Sequence, residues 1–451
     1  MLNFRRNHRG RLGVSAGAVM ALAGALLVPT TSAHADDLWT RDTLTGDWGG
    51  FRTQMSNAGI DWSLTYVGEV FGNTSGGLIR GSSYEDLIAL EVDSDLEKLV
   101  GWKGGTAHVS LYQIDNGGRN IADLVGAISD PSNIDALSTF RIFTLYVEQA
   151  LGDKGSLRVG QLAADDEFVI SDTAAYLING TFGWANFAAA NLPGGGPGYP
   201  LATPGVRLQW DATEKVTALG AIFNGNPAGD SCGPDEDPQR CDYHGTNFSL
   251  DAGTFYIGEV QYRPTKSASN SDDGPPESVY RFGGWYHDDG FENLGNPDGK
   301  DLDGNWLFYG IMDQTVWHND TSALTFFARI AGAPEDRNPI AFYVDTGFGI
   351  TAPIASRPDD VLVFGYAYSD ISSDISGLNR RDRRAGMDTP IASGESAFEL
   401  LYVAQITPWW SIQPDMQYII RPGAGLEAKP GNPNEALDDS FIVGVRTEVS
   451  F

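Results

Sequence analysis

The chain has 451 residues, 59 of them acidic and 30 basic, and its formal net charge at pH 7 is −29. This excess of carboxylates argues against nucleic acid as a partner, because no basic face is available to neutralise phosphates. Beyond the N-terminal region no stretch of about 18 apolar residues occurs, which argues against a membrane-spanning helix. A membrane protein with this sequence would have to be a closed barrel, which also satisfies its backbone hydrogen bonds in lipid.

The N-terminal 35 residues are typical of a secretory signal peptide. Four arginines within residues 5–11 precede an apolar run at 14–28, and the small-residue site Ala33-His34-Ala35 follows. The apolar run is shorter than the roughly 20 residues that a spanning helix needs. The pattern therefore predicts export through the inner membrane and cleavage after Ala35.

A short helix is expected between the cleavage site and the first strand. Asp47 can cap this helix, which would run to about Ala58 with Gly59 as the residue that follows it. Gly49 and Gly50 would make the helix unstable in isolation. We expect a periplasmic plug or docking turn within a segment 36–59, followed by one domain at 60–451.

Alternation of apolar and polar residues dominates the rest of the chain. Ile60, Trp62 and Leu64, for example, alternate with Asp61 and Ser63, as in a strand with one face in lipid and one in water. Sixteen such runs can be counted, and they predict an all-β fold, a transmembrane antiparallel barrel of about 16 strands. The runs are 60–70, 86–95, 105–113, 140–150, 155–161, 204–211, 216–224, 253–263, 279–287, 305–316, 322–330, 339–348, 361–368, 395–406, 410–420 and 440–451.

The connections between these runs alternate in length, as in barrels with long extracellular loops and short periplasmic turns. Two connections depart from the rule: 264–278 is long for a periplasmic turn, and 331–338 is short for an outer loop. The expected outer loops are 71–85, 114–139, 162–203, 225–252, 288–304, 369–394 and 421–439.

The last strand ends in an aromatic residue, Phe451. Barrel-assembly machinery of Gram-negative bacteria reads such an end, and an ordinary final strand is the alternative. The signal peptide and the strand pattern agree with the assembly interpretation. Outer-membrane lipids and the assembly machinery are therefore expected partners.

Cys232 and Cys241 lie in a stretch rich in Gly, Pro and Asp. In an oxidising compartment they are expected to form a local disulfide. A metal site is the weaker alternative, because two thiols without clustered histidines fall short of four ligands. The sequence predicts no cofactor and no enzymatic activity, since the common catalytic motifs are missing. No metal site is predicted, because the acidic run 298–305 lacks the spacing of a calcium-binding loop, but the sequence leaves open whether the region 225–300 binds calcium.

Three blocks resemble the OprB-type carbohydrate-selective porins. They are Leu-Thr-Gly-Asp-Trp-Gly-Gly-Phe-Arg at 44–52, Arg-Val-Gly-Gln at 158–161 followed by Asp166-Glu167-Phe168, and Ile-Thr-Pro-Trp-Trp-Ser-Ile-Gln-Pro-Asp-Met-Gln-Tyr-Ile-Ile at 406–420. The region at about 225–300 resembles the family least. The resemblance implies a sixteen-stranded barrel that passes sugars by diffusion, with a loop folded inward to form a constriction.

The longest connection, 162–203, is the expected constriction loop. A sugar channel needs polar groups for hydroxyls, aromatic faces for C–H surfaces, and several weak sites in place of one tight site. Asp166 and Glu167 are candidate acceptors and Trp184 a candidate stacking platform, although a solvated acidic loop and an ordinary packed tryptophan are the alternatives. The candidate groups facing them across the pore are Arg80, Arg119 and Arg158, and Asp115 is a further candidate constriction residue.

The function predicted from these observations is passive, selective diffusion of mono- or small oligosaccharides through an outer membrane. A general or cation-selective porin for small hydrophilic solutes is the main alternative. An outer-membrane enzyme is a further alternative, but no nucleophile with its base can be identified. The sequence leaves the preferred sugar open, and it does not decide between a monomer and a homotrimer.

Overall fold

The structure is a computed structural model that describes residues 37–233, 236–264 and 276–451. Leu38–Phe451 form one compact unit, and the predicted signal peptide, 1–35, lies outside the described residues. Within these residues the chain forms eighteen strands. They are β1 Ile60–Ser75, β2 Gly81–Asp95, β3 Gly105–Asp115, β4 Thr139–Ala150, β5 Gly155–Leu162, β6 Thr203–Thr213, β7 Val216–Asn224, β8 Thr254–Tyr262, β9 Val279–Phe291, β10 Leu302–His318, β11 Ala323–Gly332, β12 Ile340–Thr351, β13 Val361–Ile371, β14 Gly394–Thr407, β15 Trp410–Ile420, β16 Ala428–Lys429, β17 Asn432–Ala436 and β18 Ser440–Ser450.

Sixteen of the strands close into an antiparallel barrel. Each strand pairs with its neighbour in the chain, except that β18 pairs with β15 on one side and with β1 on the other. The strands β16 and β17 form a separate hairpin between β15 and β18. The predicted fold class and strand number are therefore confirmed.

Helices in the described part of the chain are short, and none of them has the length and apolar character needed to cross a membrane. The α-helices are α1 Phe51–Ala58, α2 Leu96–Val100, α3 Ala122–Val125, α4 Asn186–Ala189, α5 Pro238–Cys241 and α6 Ser373–Arg384. The 3₁₀ helices are Trp48–Gly50, Ala164–Asp166, Ala174–Tyr176, Gly180–Phe182, Pro193–Gly195 and Pro422–Gly425.

Helix α1 begins later than the sequence predicts. The residue before it is Gly50, in the left-handed conformation, and Asp47 instead accepts a bond from the backbone N–H of Thr53 at 2.7 Å. Gly59 ends the helix with a φ of 94°, as expected for the residue after a helix.

The first and last strands meet beside α1. The Arg52 guanidinium donates to the carbonyl of Trp62 at 2.8 Å and to that of Phe451 at 2.5 Å, and it lies 3.9 Å from the centre of the Trp62 ring. The helix therefore joins both ends of the sheet where the barrel closes.

Each of the sixteen predicted runs corresponds to a barrel strand, but the first two strands are longer than predicted. β1 continues to Ser75 and β2 begins at Gly81, so the predicted outer loop 71–85 is reduced to residues 76–80. The apolar, 1 % exposed Phe71 lies on the same inward face as Glu69. Inward-folded loops fill this end of the lumen, and apolar residues there interrupt the expected polar pattern.

The barrel has a long-loop end and a short-turn end. The turns 151–154, 214–215, 319–322 and 408–409 lie at the short-turn end. The connection from β8 to β9 joins the same end despite its length, because Tyr262 pairs with Val216 and with Tyr280.

The wall has a gap beside β4, where β5 turns into the lumen. β5 pairs only with Leu145–Ala150 of β4, and the segment 242–246 lies beside the remainder. The N–H of Ile142 donates to the carbonyl of His244 at 3.0 Å, and Arg141 donates to that of Asp242 at 3.2 Å. Gly245, with a φ of 65°, is required here because a Cβ would lie 1.8 Å from the carbonyl oxygen of Ile142. The cysteine loop thus contributes to the barrel wall.

Candidate functional site in the barrel lumen

The connection 163–202, here called loop A, folds into the lumen and is held by Arg329 of β11. The Arg329 guanidinium donates to the carbonyls of Val169 at 3.0 Å, Thr181 at 2.8 Å and Gly183 at 3.0 Å. It also pairs with Asp345 of β12, and both side chains are fully buried. A single arginine therefore anchors three turns of loop A to the wall.

Carboxylates of the wall bind the backbone amides of loop A. Glu399 accepts from the N–H groups of Ile178 at 2.6 Å and Asn179 at 3.0 Å, and Asp313 accepts from that of Thr173 at 3.1 Å. An irregular buried segment needs such partners because its amides have no ladder neighbour. The charged residues on this side of the lumen therefore support loop A.

The connection 116–138, here called loop B, also folds inward. Glu395 of β14 accepts from the N–H groups of Ile128 at 2.9 Å and Ser129 at 2.7 Å. Loop B meets loop A at Tyr199, whose hydroxyl donates to the carbonyl of Ile134 at 2.8 Å. The two loops together narrow the pore.

A cavity of about 470 Å³, here called the central cavity, lies between the loops and the wall of β2, β3 and β4. Its volume is within the range of roughly 300–1,000 Å³ that is common for small-molecule sites. Trp184 lines it and is held by a bond from its indole N–H to the carbonyl of Gly195 at 2.8 Å. The polar and aromatic lining residues include Tyr112, Asp130, Asn133, Asp135, Asp165, Asp166, Trp184, Asn186 and Tyr199.

The central cavity carries four carboxyl groups whose pKa values are raised. Desolvation inside the barrel raises the pKa of Asp165 to about 6 and that of Asp166 to about 8, and repulsion by Asp165 adds to the second shift. Burial likewise raises the pKa of Asp130 to about 8 and that of Asp135 to about 9. None of the four forms an ion pair with a described residue. The charge of the cavity therefore changes in the neutral to mildly alkaline range.

An ion-pair network lies beside the central cavity on β4, β5 and β6. Arg158 contacts Glu148 at 2.9 Å and Glu167 at 3.5 Å, and Arg207 contacts Glu167 at 2.7 Å. The Arg158 guanidinium also lies 4.1 Å from the centre of the Tyr146 ring. The two arginines are therefore largely neutralised by carboxylates.

Four of the predicted site residues come together in the lumen, namely Arg158, Asp166, Glu167 and Trp184. The structure places the other three at the long-loop end, outside the lining of the central cavity. They are Arg80 in the turn 76–80, Asp115 at the end of β3, and Arg119 in loop B.

Asp115 has a local structural contact at this end. Its carboxylate accepts from the backbone N–H of Gly117 at 2.9 Å and from the hydroxyl of Ser138 at 3.2 Å. It therefore ties the first turn of loop B to the last. The Arg80 and Arg119 side chains are exposed.

Sequence reasoning did not identify Asp130 or Asp135 as site residues. Nothing in the local sequence distinguishes loop B from other acidic outer loops. One feature of the sequence could have indicated a second inward loop. Several strands carry charged residues, such as Arg329, and charged side chains that face the lumen need polar partners there.

The structure joins Cys232 and Cys241 in a disulfide. Glu236 lies within reach of both sulfurs, but bonded sulfurs are not free thiolates and do not act as metal ligands. Asp242, the residue after Cys241, pairs with Arg141 at 3.7 Å, and both side chains are buried. The disulfide therefore borders the segment that completes the barrel wall.

A closed barrel of sixteen strands whose lumen is narrowed by inward loops is the architecture of a porin, a diffusion channel of bacterial outer membranes. A family model of the OprB carbohydrate-selective porins matches residues 80–451. The chain belongs to this family, and it is a carbohydrate-selective porin of a Gram-negative outer membrane. The predicted family, function and location are thus confirmed, and the long-loop end is the extracellular end.

Known relatives align with most of the chain at low sequence identity. Porin B of Pseudomonas aeruginosa is 26 % identical over 96 % of this chain and 97 % of its own. The putative porin QuiX of Acinetobacter baylyi is 21 % identical over 96 % of this chain and 99 % of its own. The high-pH structure of Pseudomonas putida OprB superposes with a TM-score of 0.78 at 20 % identity, over 92 % of this chain and 99 % of the other.

Proposed function

We propose that the central cavity is where this porin selects carbohydrates. The observation that carries the proposal is the meeting of Trp184 with the carboxyl groups of Asp130, Asp135 and Asp166 in one 470 Å³ space between the two inward loops. An aromatic face suits the C–H surface of a pyranose, and carboxyl oxygens accept bonds from its hydroxyls. Both features are needed to retain a sugar briefly without trapping it.

The same cavity favours neutral and cationic solutes over anions. The lumen arginines Arg158, Arg207, Arg281, Arg329 and Arg446 all pair with carboxylates. The carboxyl groups of the central cavity have no such partner among the described residues, so the unbalanced charge becomes negative as the pH rises through their pKa values of about 6 to about 9. A negative lumen raises the local cation concentration, which gives modest cation preference beside sugar passage.

The proposal is tested by sugar block of the ionic current through single channels. Trp184→Ala should weaken the block by glucose added to the extracellular side by about three- to tenfold, because the stacking face is lost. At pH 9, where a carboxyl group with a pKa of about 8 is ionised, Asp166→Asn should weaken the block and also reduce cation preference. Asp301→Asn, in the connection between β9 and β10, is the matched control and should change neither property.

Unchanged glucose block in both lumen variants would show that selection occurs elsewhere in the pore. Swelling of proteoliposomes in isosmotic sugars, amino acids and salts separates this function from general diffusion. Equal permeation by neutral sugars and amino acids of similar size would favour the general porin.

We further propose the finer expectations drawn from the sequence. The protein catalyses no reaction, residues 1–35 are removed on export, and the strand that ends in Phe451 is read by the assembly machinery. Mass determination of the exported protein tests the cleavage site. Association into a homotrimer stays a prediction that cross-linking in native membranes can test.

A further inference from the structure

A second cavity, of about 340 Å³ and here called the exit cavity, lies in the lumen beside the periplasmic turn 408–409. Loop A contributes Tyr176, and the wall contributes Gln405 of β14, Gln413 of β15 and Glu448 of β18. The exit cavity therefore combines an aromatic ring with polar groups.

Strand register explains why these wall residues share one face. Gln413 pairs with Arg446 and Ser411 pairs with Glu448 across β15 and β18. Arg446 in turn pairs with Glu69, which lies on the inward face of β1. Residues two apart on a strand share a face, so Gln413 and Glu448 point into the lumen.

The amide groups of the exit cavity present acceptor oxygens. The Gln413 side-chain N–H donates to the hydroxyl of Ser411 at 3.0 Å, and that of Gln405 donates to the carbonyl of Thr407 at 2.7 Å. These bonds engage the nitrogens and leave the amide oxygens without a hydrogen-bond donor among the described residues. Glu448 adds a carboxylate that forms no ion pair within the same part of the chain.

Tyr176 supplies an open aromatic surface. Its side chain is 44 % exposed although loop A lies inside the barrel, and its hydroxyl makes no bond to a described residue. An aromatic ring that is partly exposed inside a channel, with its hydroxyl free of bonds to described residues, can contact a passing solute.

The exit cavity adjoins the central cavity. The Arg446 guanidinium, which lines the exit cavity, donates to the side-chain oxygen of Asn133 at 2.5 Å, and Asn133 lines the central cavity. A solute that leaves the central cavity toward the periplasm therefore has the exit cavity next to it.

We propose that the exit cavity is a second carbohydrate subsite, which binds neutral monosaccharides through Tyr176, Gln405, Gln413 and Glu448. The proposal rests on the function proposed above and adds a step to it. Tyr176 contacts the apolar face of the sugar, and the three polar side chains accept bonds from its hydroxyls. Two adjacent weak sites suit a channel, because each can be left as easily as it is entered.

The test measures glucose block in single channels of known orientation, with glucose added to one side at a time. Tyr176→Ala and Gln413→Ala should each weaken block from the periplasmic side by about three- to tenfold. Block from the extracellular side should change less, because glucose reaches Trp184 first. Tyr176→Phe should retain most of the affinity, since it keeps the ring.

Gln209→Ala is the matched control, because Gln209 is an inward residue of β6 near a periplasmic turn on the opposite wall. It should leave glucose block from both sides unchanged. An equal effect of Gln209→Ala and Gln413→Ala would contradict a localised subsite.

Two further outcomes would overturn the subsite. In the first, Tyr176→Ala and Gln413→Ala leave glucose block from the periplasmic side unchanged, while Trp184→Ala weakens block from the extracellular side. The central cavity alone would then select the sugar. The other is equal weakening from both sides together with altered conductance in Tyr176→Ala, which would make Tyr176 a support of loop A. If the exit-cavity and central-cavity variants all leave block unchanged, the proposed function fails as well.

Discussion

Removal of the Arg329 side chain should release loop A from the barrel wall. Arg329→Ala leaves Asp345 as a buried carboxylate whose described side-chain donor is Tyr343, and breaking a buried pair costs about 3–5 kcal/mol. It also removes the donors of three loop carbonyls, and each unsatisfied buried group costs about 1–3 kcal/mol. A loss of free energy of this size is too large for loop A to stay docked and for the barrel to keep its full free energy of unfolding.

The hydrogen bonds between the strands are made by the backbone and do not need the Arg329 side chain, so we expect loop A to move while the strands remain paired. Single-channel recording should show a larger and noisier conductance and a glucose block weakened at least tenfold. The temperature at which the barrel unfolds in detergent, read from its change in electrophoretic mobility, should fall. Arg329→Lys keeps the positive charge but loses the planar set of guanidinium donors. Its conductance, glucose block and unfolding temperature should therefore lie between those of the unmodified protein and those of Arg329→Ala.

A double variant separates stability from loop position. Arg329→Met with Asp345→Leu leaves no uncompensated buried charge, and replacing a buried pair by apolar residues is often neutral or stabilising. Its unfolding temperature should approach that of the unmodified protein, while its conductance stays high because the loop carbonyls still lack donors. If Arg329→Ala had the same conductance and the same glucose block as the unmodified protein, this account of how loop A is held would be refuted.

Two other predictions concern pH and the cysteine loop. The pKa values of Asp130, Asp135, Asp165 and Asp166 are raised to between about 6 and about 9, so these groups are neutral below that range. Cation preference, measured by reversal potential, should therefore increase from pH 6 to pH 9. A rise confined to pH 3–5 would contradict the assignment of cation preference to these carboxyl groups. Cys232→Ser with Cys241→Ser should leave assembly and heat-modifiable mobility intact, because so short a closed loop restricts the unfolded chain little, whereas Asp242→Ala should lower the unfolding temperature by leaving Arg141 buried and unpaired. Failure of the cysteine variant to assemble would show that the disulfide is needed to form the wall.

The strands could be predicted because lipid and water impose a period of two on a barrel wall. β7 and β15 lie at the bounds that the alternation predicts, since turn residues flank both runs. β1 and β2 extend further than predicted, because the inward Phe71 faces packed loops instead of water. The pattern fails where the environment of the inward face changes.

The helix α6 shows a different limit of prediction. The segment 369–394 was expected to be an outer loop, but Ser372 caps a twelve-residue helix by accepting from the N–H of Asp374 at 3.1 Å. Ser376 of this helix donates to the carbonyl of Ala392 at 2.7 Å. Helices are predicted from an apolar stripe that repeats with the helical period. This helix lacks such a stripe, and its buried contact is made with another part of the loop, so the sequence pattern did not indicate it.

By itself the sequence determined the barrel, its approximate strand number and its family, and it predicted that loop A folds inward, because these depend on local periodicity, motifs and loop length. Only the tertiary structure decided that loop B also folds inward, that Arg329 holds loop A, and that Trp184 and Asp135 line one cavity. Closing a sheet into a barrel brings together residues that are far apart in the chain, and their contacts depend on register and on loop direction. Neither quantity is encoded in the local pattern of one strand.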